Sequence, residues 1–166
     1  MSSIHGVAKV TNLNRASEFS ILSHFGDYAV LPMNSNDDTL WNFQPSTSGG
    51  AENAYVITLY KPDGSRDGNL CLALSPDQSN QDMISIVLQQ LSQPPTPDQM
   101  WTLERAIVPP AFPVRYAIAE ICNLAKRELC AAPGGNTPLP LIFMPVSAGK
   151  NDGQRDDMRW KIDFAR

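Results

Sequence analysis

The sequence lacks the features that would place it in or across a membrane. None of its apolar runs approaches the roughly 20 residues that a membrane-spanning helix needs. Its first ten residues, MSSIHGVAKV, have no basic stretch followed by an apolar one, which is the pattern of a secretory signal. We therefore expect no membrane insertion and no export.

Cysteine and histidine are scarce. The chain has three cysteines (Cys71, Cys122 and Cys130) and two histidines (His5 and His24), at spacings that match no recognised zinc site and no Cys-x-x-Cys redox centre. An odd number of cysteines without an export signal favours free, buried thiols in a reducing compartment. The sequence thus predicts a cytoplasmic protein without a metal.

Motifs of common enzyme active sites are missing as well. The chain contains no Gly-x-Ser-x-Gly elbow, no phosphate-binding glycine-rich loop and no dinucleotide fingerprint. We expect a protein that is not an enzyme, with no catalytic residues and no cofactor.

Composition and charge leave room for one folded domain and give no sign of a polyanionic partner. Hydrophobic residues make up 42% of the 166 residues and the mean hydropathy is -0.24, so a buried core can form. The net charge is -4 and the pI is about 5.0. Residues 1–106 hold 5 basic and 11 acidic groups, and residues 107–166 hold 8 basic and 6 acidic groups. The basic excess of the second part is too weak to indicate nucleic-acid binding.

The three tryptophans mark an internal repeat. Trp41, Trp101 and Trp160 stand in DDTLWNFQP, PDQMWTLER and DDMRWKIDF, each with acidic or turn residues before the ring and a polar then an apolar residue after it. Their separations are 60 and 59 residues. A period of this length predicts three copies of one structural unit, which we place at residues 1–50, 51–109 and 110–166 of a single domain, 1–166.

Short apolar runs fill each unit and have the character of β-strands. They are four to nine residues long, rich in Val, Ile, Leu, Tyr and Phe, and bounded by Gly, Pro, Asn, Asp and Ser. Fourteen prolines interrupt any long helix. Before the tryptophan segments we find these runs: 7–13, 19–22 and 28–33; 55–60, 70–74 and 84–91; 116–124, 129–132 and 139–146. With the three tryptophan segments they predict an all-β fold of twelve strands.

Three units of four strands that each end in tryptophan resemble the β-trefoil, and within it the ricin B-chain-like lectins, whose repeats end in Gln-x-Trp. The resemblance covers nearly the whole chain, and Gln99-Met100-Trp101 keeps the motif. It implies that Trp41, Trp101 and Trp160 are core residues of a pseudo-threefold barrel capped by hairpins.

Departures from that family limit what the resemblance implies about function. Leu22, Ala73 and Ala132 stand where sugar-binding repeats carry an aspartate, and the family's disulfide has no counterpart among the cysteines. The chain therefore looks like a divergent cytosolic fungal-type lectin, or like a fungal trefoil protease inhibitor.

A lectin-like, carbohydrate-binding protein is the first functional hypothesis, with a glycan or glycoprotein as its partner. The first repeat offers hydroxyl-binding groups beside aromatic rings, the combination with which proteins bind sugars. The candidate residues are His24, Asp27, Tyr28, Asn34, Asn36, Asp37 and, from the surviving motif, Gln99. Turn geometry alone would also account for the Asn and Asp residues.

A protease inhibitor is the alternative. The loop SAGKNDGQRDD is the longest of the three equivalent loops and carries Lys150 and Arg155, either of which suits the acidic pocket of a trypsin-like enzyme. A further alternative is an accessory subunit that contacts other proteins. Self-association into a homodimer is left open.

Overall fold

All the regular structure of the described residues is β-strand or short 3₁₀ helix. The computed structural model describes residues 4–15, 18–34, 36–46, 54–60, 69–111, 113–153 and 155–164, so the expected repeat boundary at residue 50 lies outside them. Two 3₁₀ turns, Pro97–Gln99 and Asp156–Met158, precede Trp101 and Trp160. The strands are β1 Gly6–Asn12, β2 Ser23–Phe25, β3 Tyr28–Pro32, β4 Leu40–Pro45, β5 Ala54–Tyr60, β6 Leu70–Leu74, β7 Met83–Gln90, β8 Trp101–Ile107, β9 Tyr116–Asn123, β10 Leu129–Pro133, β11 Phe143–Lys150 and β12 Trp160–Phe164.

Alternation of apolar and polar residues explains why strands such as β12 bury one face and expose the other. In β12, Trp160, Ile162 and Phe164 are buried, while Lys161 and Asp163 between them point outward. Side chains of a strand project to opposite faces in turn, so a period of two buries one face and exposes the other. Strands β5 and β9 are buried along most of their length and have the continuous apolar runs of strands covered on both faces.

All strand pairings are antiparallel, and together they close a ten-strand barrel. The circuit runs β10-β11-β3-β7-β6-β5-β4-β1-β12-β9 and returns to β10 through the pairing of Cys130 with Cys122. Strand β8 lies against β9 and β5, and β2 lies against β3. The described part of the chain is therefore all-β with twelve strands in one sheet, and the assignment to a β-trefoil is wrong.

The physical reason for this error is that a sequence repeat predicts strands but not their partners. Strand pairing depends on contacts between residues far apart in the chain, which local composition does not encode. Here β7 pairs with β3, β6 and β11, and β9 pairs with β8, β10 and β12, so strands of different repeats join one continuous circuit.

The three tryptophans lie in one core cluster, and each makes the same hydrogen bond. The indole N–H of Trp41 donates to the carbonyl oxygen of Leu22 at 2.9 Å. Trp101 donates to Leu72 at 2.8 Å and Trp160 to Ala131 at 2.9 Å. All three rings are buried, as are the apolar residues two positions on, which are Phe43, Leu103 and Ile162.

Two strands begin later than the sequence predicts. Residues 19–22 form no strand beyond an isolated bridge of Ile21 with Thr11; Phe19 has a positive φ of 54°, and β2 begins only at Ser23. The run 139–146 becomes strand only from Phe143, because Pro138 and Pro140 have no N–H to donate to a neighbouring strand.

The prediction of free thiols is wrong for two of the three cysteines. Cys122 and Cys130 form a disulfide between β9 and β10, where their Cα atoms lie opposite each other at 3.9 Å. Cys71 is free and buried. Burial, with a smaller effect from the Asp98 carboxylate, raises the pKa of the Cys71 thiol to about 11, so it stays protonated and poorly nucleophilic at neutral pH.

A search of the described residues finds no helix long and apolar enough to cross a membrane. The compartment stays a prediction.

We expect replacement of a single tryptophan by phenylalanine to lower the free energy of unfolding by about 2–3 kcal/mol at each of the three positions. The change shrinks a buried ring and leaves a buried carbonyl oxygen without its donor. Urea denaturation of Trp41→Phe, Trp101→Phe and Trp160→Phe measures the loss, with Tyr60→Phe on the surface as the control. A loss below about 0.5 kcal/mol at all three positions would contradict the role assigned to these bonds.

Candidate functional site

A polar groove of about 280 Å³ is formed by described residues from three parts of the chain. It lies between the β6–β7 loop, the segment that leads from β10 to β11, and the start of β3. Of its eleven described lining residues, eight are small polar residues with a hydroxyl, an amide or a carboxylate, and Tyr28 adds a phenolic hydroxyl; the other two are Met83 and Pro138. The eight are Ser75, Asp77, Ser79, Asn80, Ser85, Asn136, Thr137 and Ser147.

Two serines on neighbouring strands form the floor of this groove. Ser85 of β7 and Ser147 of β11 are directly opposite each other in the sheet. The Ser85 hydroxyl shares a 2.9 Å hydrogen bond with the Thr137 hydroxyl, and its backbone carbonyl accepts the Ser75 N–H at 2.8 Å. Both loops of the groove are thus attached to the same rigid strand.

The Ser147 hydroxyl is buried and has no hydrogen-bond partner within the described part of the chain. A buried hydroxyl without a partner is unfavourable by roughly 1–3 kcal/mol. Gly135 lies directly over it: a Cβ at position 135 would come within 2.2 Å of the Ser147 oxygen. Glycine at position 135 avoids this clash.

The β6–β7 loop presents its polar side chains through tight turns. The Asp77 carboxylate accepts the Ser79 N–H at 3.2 Å, and the Asn80 side-chain carbonyl accepts the Asp82 N–H at 3.1 Å. Such side-chain turns stabilise a short loop without regular structure. Asp77 is the one charged side chain among the lining residues, so the groove carries a single negative charge.

This arrangement suits a small, neutral, hydroxylated ligand. Hydroxyls and amides both donate and accept hydrogen bonds, and a carboxylate accepts them strongly. Tyr28 adds an aromatic ring that is 39% exposed and borders the groove. The combination of many hydrogen-bonding groups with one exposed ring is the chemistry of sugar recognition.

The structure divides the predicted sugar-binding residues among several places. Tyr28 borders the groove, whereas His24 and Asp27 lie in the β2–β3 hairpin and do not line it. The His24 Nδ1 atom contacts the Gly26 carbonyl at 3.2 Å, and the Asp27 carbonyl accepts the Leu88 N–H at 2.7 Å.

Asn34, Asn36 and Asp37 lie on the other side of the hairpin and stabilise its following loop. The Asn34 side chain accepts the Asn36 N–H at 2.9 Å. The Asp37 carboxylate accepts the Thr39 N–H at 2.9 Å and the Ser23 hydroxyl at 3.1 Å. Asn34 and Asp37 line a second depression, separate from the polar groove.

Gln99 is buried and holds the 3₁₀ turn before Trp101 in place. Its side-chain carbonyl accepts the Ser92 N–H at 3.0 Å, and its amide nitrogen donates to the Gln90 carbonyl at 3.0 Å and to the Gln89 side chain at 3.2 Å. A side chain with its hydrogen bonds made inside the protein is poorly placed to bind a ligand.

The two cations predicted for protease inhibition differ in their surroundings. The Arg155 guanidinium donates two hydrogen bonds to the Asp157 carboxylate, at 3.0 and 2.8 Å. Lys150 is exposed but is the last residue of β11, where its N–H donates to the Asp82 carbonyl at 3.2 Å. Lys150 therefore belongs to a strand, and the Arg155 guanidinium is paired with a carboxylate.

Sequence reasoning missed most of the groove. Seven of its eleven described lining residues come from SPDQSNQD (75–82) and PGGNTP (133–138), two turn-rich segments that resemble ordinary surface loops. The two segments could have been identified because they contain many small polar side chains and no Lys or Arg. The described residues contain no group of three or more His, Cys, Asp or Glu side chains that could hold a metal.

Comparisons with known proteins show likeness in fold alone. No family model matches the chain, and no curated protein sequence matches it. Among solved structures it is similar to a mosquitocidal holotoxin (16% identity, 99% of this chain and 18% of that one, TM-score 0.62). It is also similar to Cry35Ab1, with 14% identity over 97% of this chain and 36% of that one and a TM-score of 0.57. A Caenorhabditis elegans protein of unknown function is similar with 14% identity over 96% of this chain and 94% of that one and a TM-score of 0.62.

These results overturn the family assignment. The chain spans 18% and 36% of the first two neighbours, so it corresponds to only a part of each. With a closed ten-strand barrel and no matching family model, the assignment to ricin B-chain-like lectins or fungal trefoil inhibitors is wrong. What remains is similarity to β-rich proteins.

Gly135→Ala is expected to destabilise the protein more than Gly134→Ala does. Both glycines have a positive φ, which is 134° at Gly135 and 113° at Gly134. Alanine therefore strains the backbone at either position by a comparable amount. Only at position 135 does the new methyl group meet another residue, Ser147. We expect Gly135→Ala to be less stable than Gly134→Ala by about 1–2 kcal/mol in urea denaturation. Equal losses would contradict the close approach of Gly135 to Ser147.

Proposed function

We propose that this protein binds carbohydrate in the polar groove and acts without catalysis. The observation that carries the proposal is the convergence of eight small polar side chains and one exposed tyrosine ring on a single depression. The partner is then a glycan, either free or attached to a protein.

Three properties of the groove support a sugar over other small molecules. Its polar groups come from rigid strands and short tight turns, which lowers the ordering cost of binding. Its volume of about 280 Å³ accommodates one or two sugar rings. The Asp77 carboxylate and the hydroxyl and amide groups that line the groove provide hydrogen-bonding capacity for ligand hydroxyls.

The charge of the groove narrows the class of sugar. Among the described residues, a single carboxylate and no cation line the groove, so an acidic sugar such as a sialic acid would place like charges together. We expect binding of neutral sugars and rejection of sialylated or sulfated ones.

Tyr28→Ala is expected to weaken sugar binding about tenfold, or ~1.4 kcal/mol, because the ring that would stack on the sugar is removed. Tyr60→Ala is the matched control, since Tyr60 has the same 39% exposure but lies at the end of β5, outside the groove. A glycan array identifies the ligand, and calorimetry with that sugar measures both variants.

A second pair of variants tests the hydrogen bonds. Asp77→Ala should abolish the array signal, whereas Asp163→Ala on the outer face of β12 should preserve it. An array of diverse glycans that stays blank with the unaltered protein, or a signal that survives Asp77→Ala, would refute carbohydrate binding at this groove.

A further inference from the structure

A second surface, which includes the end of the segment whose first half borders the groove, exposes large apolar side chains. Leu141 is 93% exposed and Ile142 is 54% exposed, and Met33 and Phe25 are also exposed. We call this set, together with Phe143, the Leu141 surface.

Phe25, Met33, Ile142 and Phe143 adjoin one another, and Leu141 precedes Ile142 in the chain. The ring centroids of Phe25 and Phe143 are 4.5 Å apart, and the ring planes are tilted by 33°. The Met33 N–H donates to the Ile142 carbonyl at 2.8 Å, and Met33, Ile142 and Phe143 together line a depression of about 700 Å³. The surface is therefore one patch built from the β2–β3 hairpin and the residues before β11.

Exposure of this kind is unfavourable unless something covers the patch. Soluble proteins seldom leave several large apolar side chains contiguous and exposed, and such patches mark interaction sites. Pro138 and Pro140 restrict the backbone just before Leu141, so the leucine is held outward by a stiffened segment. Exposed hydrophobic residues such as Tyr60 on β5 and Ile107 on β8 belong to other elements.

The surroundings of the patch are acidic. Glu18 and Asp37 line the same depression, and Asp38 follows in the chain. No Lys or Arg occurs between Arg15 and Lys61, and residues 129–149 contain no charged residue at all. The nearby Arg15 guanidinium is directed at the Met144 sulfur, 3.1 Å away.

We propose that the Leu141 surface binds a segment of a partner protein that carries a large apolar side chain next to a lysine or arginine. The apolar side chain would lie against Met33, Ile142 and Phe143, and the cation would face Glu18 and Asp37. The acidic side chains around the patch favour this partner over a second copy of the chain or a lipid surface. A second copy of this chain would bring the same acidic groups together, and an anionic lipid surface would be repelled.

Selection from a random heptapeptide library displayed on phage tests the proposal directly. We expect enriched peptides to contain Leu, Ile, Phe or Trp within two positions of Lys or Arg. The strongest peptide, synthesised with a fluorescent label, is then titrated with the protein at low and high salt. Binding should weaken several-fold as salt screens the acidic groups.

Matched variants locate the site. Ile142→Ser should weaken peptide binding at least tenfold, while Ile107→Ser, which removes an isoleucine of the same 54% exposure from β8, should leave it unchanged. Glu18→Lys should weaken it several-fold, while Glu128→Lys on the surface elsewhere should not. None of these residues lines the polar groove, so sugar binding should be unaffected.

Any of the following results would overturn the proposal. No enrichment, enrichment of acidic peptides, or equal binding by Ile142→Ser would exclude the stated partner. Sedimentation of the unaltered protein as a dimer that Ile142→Ser dissociates would assign the surface to a second copy. Flotation with neutral lipid vesicles that Leu141→Ser abolishes, without peptide binding, would assign it to a membrane.

Discussion

The pairing of each buried indole N–H with a backbone carbonyl is the interaction on which the structure depends. Tryptophan buries a large apolar ring, but its N–H must find an acceptor inside the protein. Leu22, Leu72 and Ala131 provide that acceptor from the chain segments that precede Trp41, Trp101 and Trp160. Each bond therefore fixes the position of one part of the sheet against another, and the closed barrel follows from three such attachments together with the strand pairings.

The segment from Gly134 to Ile142 connects this core with both proposed binding surfaces. It is attached at one end by the Gly134 N–H, which donates to the Pro145 carbonyl at 2.7 Å, and in its middle by the bond of Thr137 with Ser85. Its first half borders the polar groove and its last residues form the apolar patch. A loop with prolines and two anchored points can present different chemistry on its two sides without losing its shape.

Local structure was predictable from sequence where the signal was a periodic apolar run, as in Leu70–Leu74 and Tyr116–Asn123. The site was not. Gln99 carries the polar side chain expected of a binding residue, yet its hydrogen bonds are all used to hold a turn. Asp77 looks like a turn residue and borders the groove. Turn formation and ligand binding require the same small polar residues, so composition does not separate them.

By itself, the sequence determined that the chain forms short strands around three tryptophans, because apolar periodicity and proline positions act over a few residues. The tertiary structure alone decided which strands pair, that Cys122 meets Cys130, and that loops 59 residues apart share one groove, as Asp77 and Asn136 do. Those outcomes depend on the summed packing of distant segments into one closed sheet, and no local pattern contains that sum.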